Sequence, residues 1–226
     1  MAEAPEVVRI EWRRRLIAEY GSAAVTHSLV GWLMRLGASP TLLHEGTRII
    51  DDELVHAEQA FAVLNEAGGG QVELGGALGL ELEPALTLLA NVCVCGTRVF
   101  CLGETVAVRL FSRLRAGTTI DVARAALDRV LADEVRHRDF GWLLLEWLSQ
   151  QPQWDELRAL IEQRLPRWLG ELERNYGLGA QQPFDERCRQ WGLMPNAEYR
   201  SALEETLERD YRPRFADYGI HVPPSI

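Results

Sequence analysis

The chain contains no lysine, and all 24 of its positively charged residues are arginines. Lysine nucleophiles, Schiff bases and pyridoxal-type chemistry are therefore excluded, because each of them needs a lysine amine. The Gly-x-Gly-x-x-Gly fingerprint of flavin and nicotinamide binding is absent as well. If the protein carries out redox chemistry, its electrons must come from an external donor or from the substrate.

Positive charge is scarce relative to negative charge. The formal net charge is −9, which argues against a general nucleic-acid binder because phosphate binding needs a concentrated positive field. The chain also lacks an uninterrupted apolar run of membrane-spanning length, and residues 1–6 have neither the basic start nor the apolar core of a signal peptide. We therefore expect a cytoplasmic protein that binds neither membranes nor nucleic acid.

Cysteine is sparse, and its spacing matches neither a zinc site nor a rubredoxin site. The four cysteines are Cys93, Cys95, Cys101 and Cys188. The first three fall within one predicted helix, where we expect buried thiols. This use of cysteine fits a reducing compartment.

Apolar residues recur at helical spacing through most of the chain, which predicts an all-α fold. Four long helices are predicted over residues 5–36, 40–66, 84–114 and 120–149. Gly37 and the glycines at 68–70 end the first two helices, Ser39 caps the start of the second, and a threonine at 118–119 caps the fourth.

The lengths of the connections indicate the topology. Two loops are short enough to join antiparallel neighbours, whereas residues 71–83 can cross from one end of a bundle to the other. We expect two antiparallel hairpins joined by this crossover, forming a ferritin-like four-helix bundle over residues 1–150. Residues 151–226 are predicted to be accessory helices on the same domain, at 154–176 and 197–218, with a Gly/Pro-containing segment at 178–196 and an extended tail at 221–224.

Two Glu-x-x-His units lie in separate predicted helices, and each is preceded by a helix with a lone inward glutamate. The six candidate ligands are Glu19, Glu53, His56, Glu104, Glu134 and His137. Residues three apart leave a helix on one face, so both side chains of a unit can bind one metal. Four carboxylates and two imidazoles are the set that dinuclear carboxylate bundles use.

The spacing of these residues favours a common site over chance. Glu19 and Glu53 are 34 residues apart, and Glu104 and Glu134 are 30 apart, which suits two antiparallel helices returning to the same height. The alternative is a set of surface salt bridges. Against it, Glu53 and Glu134 interrupt apolar stripes, and buried acids need a cation.

The order of these ligands resembles the ferritin-like di-iron carboxylate superfamily over residues 6–150, and three short stretches around Glu19, Glu53 and Glu104 are similar to a bacterial group of ferritin-like domain proteins. The resemblance implies that Glu53 and Glu134 bridge two metals and act as the catalytic ligands. Glu19 with His56 would complete one ion, and Glu104 with His137 the other. Iron is expected, with manganese or a mixed pair as alternatives.

Other residues near the ligands have two interpretations each. In the superfamily, an aspartate at the positions of Asp52 and Asp133 often forms a hydrogen bond with a ligand histidine. The alternative is an exposed helix aspartate. Arg138 could pair with such an aspartate, meet an anionic substrate or form an ordinary ion pair. Small residues such as Gly141 could leave a substrate cavity or permit close helix packing, and Cys101 could line the site or be a buried structural thiol.

The resemblance implies a non-haem di-iron oxygenase or oxidase that uses O2 to oxidise a small organic substrate held in the bundle, with an external electron donor. Iron storage, rubrerythrin-type peroxidase and ribonucleotide reductase functions fit less well; for example, Cys101 stands where rubrerythrins carry an extra glutamate. The alternative is a non-catalytic or ferroxidase-type metal-handling or stress protein. A homodimer is compatible with Trp154, Trp168 and Trp191 in the accessory region, which suit an interface or a core.

Overall fold

The computed structural model of the protein describes residues 4–75, 81–175 and 184–223. Within these ranges the regular elements are helices and no strand occurs, so the predicted all-α class is confirmed. Three predicted segments lie partly outside the described residues: the crossover at 76–80, the stretch from Tyr176 to position 183, and the tail from Pro224.

The α-helices are α1 (Glu6–Arg35), α2 (Pro40–Glu66), α3 (Leu88–Cys95), α4 (Thr105–Ala116), α5 (Asp121–Ser149), α6 (Trp154–Asn175), α7 (Glu186–Arg189), α8 (Asn196–Thr206) and α9 (Arg212–Ala216). Two π-helical segments, π1 (Gly96–Glu104) and π2 (Leu207–Tyr211), join α3 to α4 and α8 to α9. The predicted ends of the first, second and fourth long helices are confirmed to within one residue. Ser39 caps α2 as predicted, by accepting a hydrogen bond from the Leu42 amide (3.3 Å).

The third long helix begins four residues later than predicted, at Leu88 rather than at position 84. Thr87 caps it through a hydrogen bond from the Ala90 amide (3.2 Å). The Asn91 side chain also accepts from the Glu83 amide (2.7 Å) and donates to the Glu83 carbonyl (3.3 Å). These bonds hold the preceding residues in a turn, because they use backbone groups that a helix would otherwise pair.

The same stretch contains π1, which the sequence did not predict. A π-helix pairs residues five apart instead of four, so a search for 3.6-residue periodicity does not detect it. The hydroxyl of Tyr211, which is fully buried, donates to the Leu102 carbonyl within π1 (2.6 Å). This bond fastens π1 to the end of π2.

Contacts divide the chain into two compact units. The first unit consists of Met1–Leu82, Phe111–Asp133 and Phe184–Met194. In it α1 packs along α2, as expected of a hairpin. The Trp12 indole donates to the Trp191 carbonyl (2.8 Å) and Arg15 donates to the Gly192 carbonyl (2.8 Å), which ties the 184–194 segment to α1.

The second unit consists of Glu83–Leu110, Glu134–Pro183 and Pro195–Ile226. Arg109 donates to both Glu205 (3.0 Å) and Asp210 (2.8 Å), and Trp142 stacks edge-on against Phe215 with a centroid separation of 5.0 Å. The C-terminal helices are therefore packed into this unit. The predicted boundary at residue 150 is not a boundary of either unit, and it stays a prediction.

The continuous helical stretch Leu88–Ala116 is long and apolar enough to cross a membrane by length and composition alone. The sequence has no uninterrupted apolar run here, because Arg98, Glu104 and Arg109 lie within the stretch. In the structure, 72% of its most apolar window is buried inside the protein. A buried core helix passes the same test of length and composition.

Gly141 on α5 allows a close approach between helices. A Cβ atom at this position would lie 2.6 Å from the Phe100 carbonyl carbon and 2.8 Å from the Cys101 nitrogen. Backbone atoms cannot move aside as the end of a flexible side chain can. Close packing is thus the role of this glycine, rather than the provision of a cavity.

We expect Gly141→Ala to lower the free energy of unfolding by about 1–3 kcal/mol, through overpacking. Gly31→Ala is the matched control, because a Cβ atom at Gly31 would meet no described atom within 4 Å beyond its own stretch of helix. It should raise stability by up to about 1 kcal/mol, since alanine is the better helix former. Urea unfolding followed by circular dichroism measures both, and equal effects of the two variants would contradict this account.

Candidate metal centre

Helix α2 presents Glu53 and His56 on one buried face. The two residues are three apart on the helix, and their exposed fractions are 1% and 0%. Glu19 comes from α1 and is half-buried. One ligand atom from each of Glu19, Glu53 and His56 lies within 4.8 Å of the others, so the α1–α2 hairpin brings three of the six predicted ligands together.

Two contacts orient the Glu53 carboxylate. The Ser22 hydroxyl donates a hydrogen bond to Glu53 Oε1 (2.8 Å), and Glu53 Oε2 lies 3.5 Å from His56 Nδ1. One oxygen is therefore held by α1 while the other faces the imidazole. The sequence patterns did not single out Ser22, although its position one turn after Glu19 places it on the same side of α1.

The other nitrogen of the imidazole is held by an aspartate. His56 Nε2 lies 3.2 Å from Asp133 Oδ2, and the Arg129 Nε donates to the same oxygen (2.7 Å). An ionised carboxylate is an acceptor only, so this contact places the imidazole proton on Nε2 and leaves Nδ1 to accept or to bind a metal. The predicted contact between Asp133 and a candidate histidine is observed.

Arg129 also reaches Asp52, with its NH2 group 3.5 Å from Asp52 Oδ1. Both predicted aspartates are buried, with exposed fractions of 8% and 6%, so neither is an exposed helix aspartate. Arg129 is thus an observed partner of both aspartates, whereas Arg138 forms an ordinary ion pair with Asp139 (2.8 Å). The sequence signal for Arg129 is its place four residues before Asp133 on the same helix.

The remaining three predicted ligands belong to the second unit and are buried in it. Glu104 is the last residue of π1 and is 9% exposed, while Glu134 and His137 on α5 are 2% and 0% exposed. The surface salt-bridge interpretation does not fit these residues. Tyr211 bonds to the Leu102 carbonyl, two residues before Glu104, and so supports the end of π1 that carries this glutamate.

The cysteines are buried thiols, as predicted. The Cys101 thiol donates to the Gly141 carbonyl (3.2 Å), and burial raises its pKa well above the usual value. Burial also raises the pKa of Cys93 to about 12. These groups remain protonated at neutral pH, and a thiol must lose its proton to bind a metal strongly. Cys93 and Cys101 are therefore packed as neutral thiols in the metal-free protein.

The donor set suits a hard or borderline metal ion. Two ligand atoms at about 2.0–2.2 Å from one ion lie within roughly 4.4 Å of each other, so a spacing within 4.8 Å needs only a small adjustment of the side chains. Carboxylate oxygen and imidazole nitrogen without thiolate fit iron or manganese. Buried Glu and His groups of this protein could therefore hold a metal ion.

Comparisons with known proteins add no assignment. The chain matches no protein-family model, no curated protein and no solved structure. The chemistry of the site must therefore be argued from the residues themselves.

We expect Asp133→Asn to lower the stability of the metal-free protein by about 1–3 kcal/mol, because His56 and Arg129 lose the charged acceptor of their buried contacts. Asp128→Asn, on the same helix, weakens an exposed ion pair with Arg115 and should change the stability little, because exposed ion pairs contribute little. Chemical denaturation at neutral pH compares the two variants. If Asp133→Asn were no more destabilising than Asp128→Asn, the imidazole would not depend on this aspartate.

Proposed function

We propose that this protein is a ferritin-like di-iron carboxylate protein that uses O2 to oxidise a small organic substrate. The proposed architecture is a four-helix bundle of two antiparallel hairpins. Its proposed ligands are the six acids and histidines described above, with Glu53 and Glu134 as the bridging carboxylates. Iron is favoured, because O2 activation needs a redox-active metal, and manganese or a mixed pair fits the same ligands.

The observation that carries this proposal is the group of Glu19, Glu53 and His56, of which Glu53 and His56 are buried. Its ligand atoms lie within 4.8 Å of one another, and it combines the residue types and the spacing that bind iron in helical bundles. The second unit contains a buried Glu-x-x-His pair of the same spacing, Glu134 and His137. This repetition supports two metal positions rather than one.

The surrounding residues prepare the ligands for metal binding. Asp133 accepts a hydrogen bond from Nε2 of His56, which leaves the Nδ1 lone pair directed toward Glu53. Ser22 holds one oxygen of Glu53, and the other remains on the side of the imidazole. Arg129 neutralises part of the negative charge of Asp52 and Asp133. Partners of this kind typically change metal affinity or activity about 10–100-fold.

When bound, two ferrous ions would supply electrons to O2. Full reduction of O2 to water takes four electrons, of which a two-electron oxidation of the substrate supplies two. An external donor must supply the other two, because the sequence has no flavin or nicotinamide fingerprint. The protein's own part is to hold the ligands, orient the substrate and exclude water.

An apolar cavity that reached the metals would favour a small-molecule enzyme over metal handling, and none of the proposed ligands lines the cavity described in the first unit. This cavity has a volume of about 500 Å³ and is lined in part by Tyr20 and Ala57, the residues that follow Glu19 and His56. Small-ligand sites span roughly 300–1,000 Å³. Metal handling or a ferroxidase role is the alternative, and it needs no such cavity.

The experiment is anaerobic purification and iron loading, followed by metal analysis and rapid mixing with O2. We expect two irons per chain and a transient charge-transfer absorption that decays faster with one candidate substrate. Glu53→Ala should remove at least about half of the bound iron, since a bridging ligand serves both ions. Glu58→Ala is the control, because Glu58 is exposed on the same helix and should leave the iron content unchanged.

Three outcomes would count against the proposal. If Glu53→Ala bound as much iron as the unmodified protein, Glu53 would not be a ligand and the proposed metal site would be wrong. Two bound irons that do not react with O2 would leave metal binding without oxygen chemistry. Rapid oxidation that no substrate affects and that ends in ferric deposits would favour the metal-handling alternative.

A further inference from the structure

The cavity in the first unit has a composition of its own. It lies along α1 and α2, and residues of the 71–74 segment close one side of it. Leu16, Leu54, Phe61, Val72 and Leu74 form most of its wall. None of the proposed metal ligands lines it, so it is a separate feature of the α1–α2 hairpin.

The wall is apolar and partly open to water. Leu54, Phe61 and Leu74 are 41%, 38% and 44% exposed, although each is large and hydrophobic. Three such residues around one concave space keep apolar surface in contact with water, which a bound apolar group would cover. Its volume of about 500 Å³ falls within the range of roughly 300–1,000 Å³ for small-ligand sites.

The described residues of the lining include three polar side chains, Tyr20, Glu58 and Gln71. Each of them offers a hydrogen-bond acceptor, and Glu58 carries the only formal charge among the described residues of the lining. A primary ammonium group has three N–H donors, no acceptor and a positive charge, so it suits a lining whose polar side chains offer acceptors and whose formal charge is that of Glu58. A carboxylate would instead meet the like charge of Glu58.

We propose that this cavity binds a primary amine in its protonated form, with the alkyl chain against the apolar wall and the ammonium group at Glu58. This binding site does not depend on the proposed metal chemistry. Its affinity comes from apolar contact and its selectivity from charge, because an opposite charge at the end of the chain attracts and a like charge repels.

The test is isothermal titration calorimetry on the metal-free full chain with three eight-carbon ligands: octylamine, octanol and octanoate. At neutral pH and physiological salt we expect one octylamine per chain, bound at least about tenfold more tightly than octanoate, with octanol between them. Absence of binding by all three ligands, or equal affinities for the amine and the carboxylate, would overturn the proposal.

Charge variants separate local selectivity from the net negative charge of the protein. Glu58→Lys should reverse the preference between octylamine and octanoate while leaving the affinity for octanol within about twofold. Glu66→Lys is the matched control, because Glu66 is also exposed on α2 but does not line the cavity; it should leave the preference unchanged. If both variants shifted the preference equally, the amine would be responding to overall charge alone.

A wall variant tests the place of the alkyl chain. Phe61→Gln should weaken all three ligands by a similar factor of at least about five, because it removes apolar contact without changing charge. Met34→Gln is the control, since Met34 is 58% exposed on α1 and does not line the cavity. Unchanged affinities in Phe61→Gln would show that the chain binds elsewhere. Because metal is absent throughout, these results are independent of the iron experiment.

Discussion

The structure depends on the burial of polar and ionisable side chains that have specific partners. Glu53 and His56 are almost fully removed from water, and a polar or ionised group loses its hydration energy when it enters a protein interior. The surrounding helices compensate with directed contacts: Ser22 donates to Glu53, and Asp133 accepts from His56. Since such groups are costly to bury, their presence in the interior indicates a function other than stability.

Two buried aspartates connect the site to Arg129, which is half-exposed. Asp133 is shared between His56 and Arg129, and Arg129 also reaches Asp52. Arg129 is itself half-exposed, so its charge stays partly hydrated while its guanidinium contacts buried oxygens. A histidine held in this way has one defined tautomer and directs its Nδ1 toward Glu53, which is the requirement for a metal ligand.

Helix α2 presents different residues on two of its faces, because an α-helix has 3.6 residues per turn. Glu53 and His56 lie on its buried face, whereas Leu54, Glu58 and Phe61 lie on a neighbouring face that lines the apolar cavity. Successive residues on a helix are about 100° apart, so one hairpin can combine a polar interior cluster with the apolar cavity. The proposed metal centre and the proposed amine site are thus separate properties of the same pair of helices.

The sequence by itself determined the all-α class, the ends of α1, α2 and α5, and the burial of Glu53 and Glu134, because these follow from local rules of periodicity, capping and helical spacing. The contact of Asp133 with a histidine was one of two interpretations that the sequence left open. The late start of α3 was missed, although the Thr87 cap is a local feature. The sequence did not reveal π1 or the partnership of Arg129 with Asp52 and Asp133. Only the tertiary structure decided these features, since π1 receives a hydrogen bond from Tyr211 more than 100 residues away and Arg129 meets Asp52 across two helices. Contacts between residues so distant in the chain depend on how the helices pack, which no local pattern encodes.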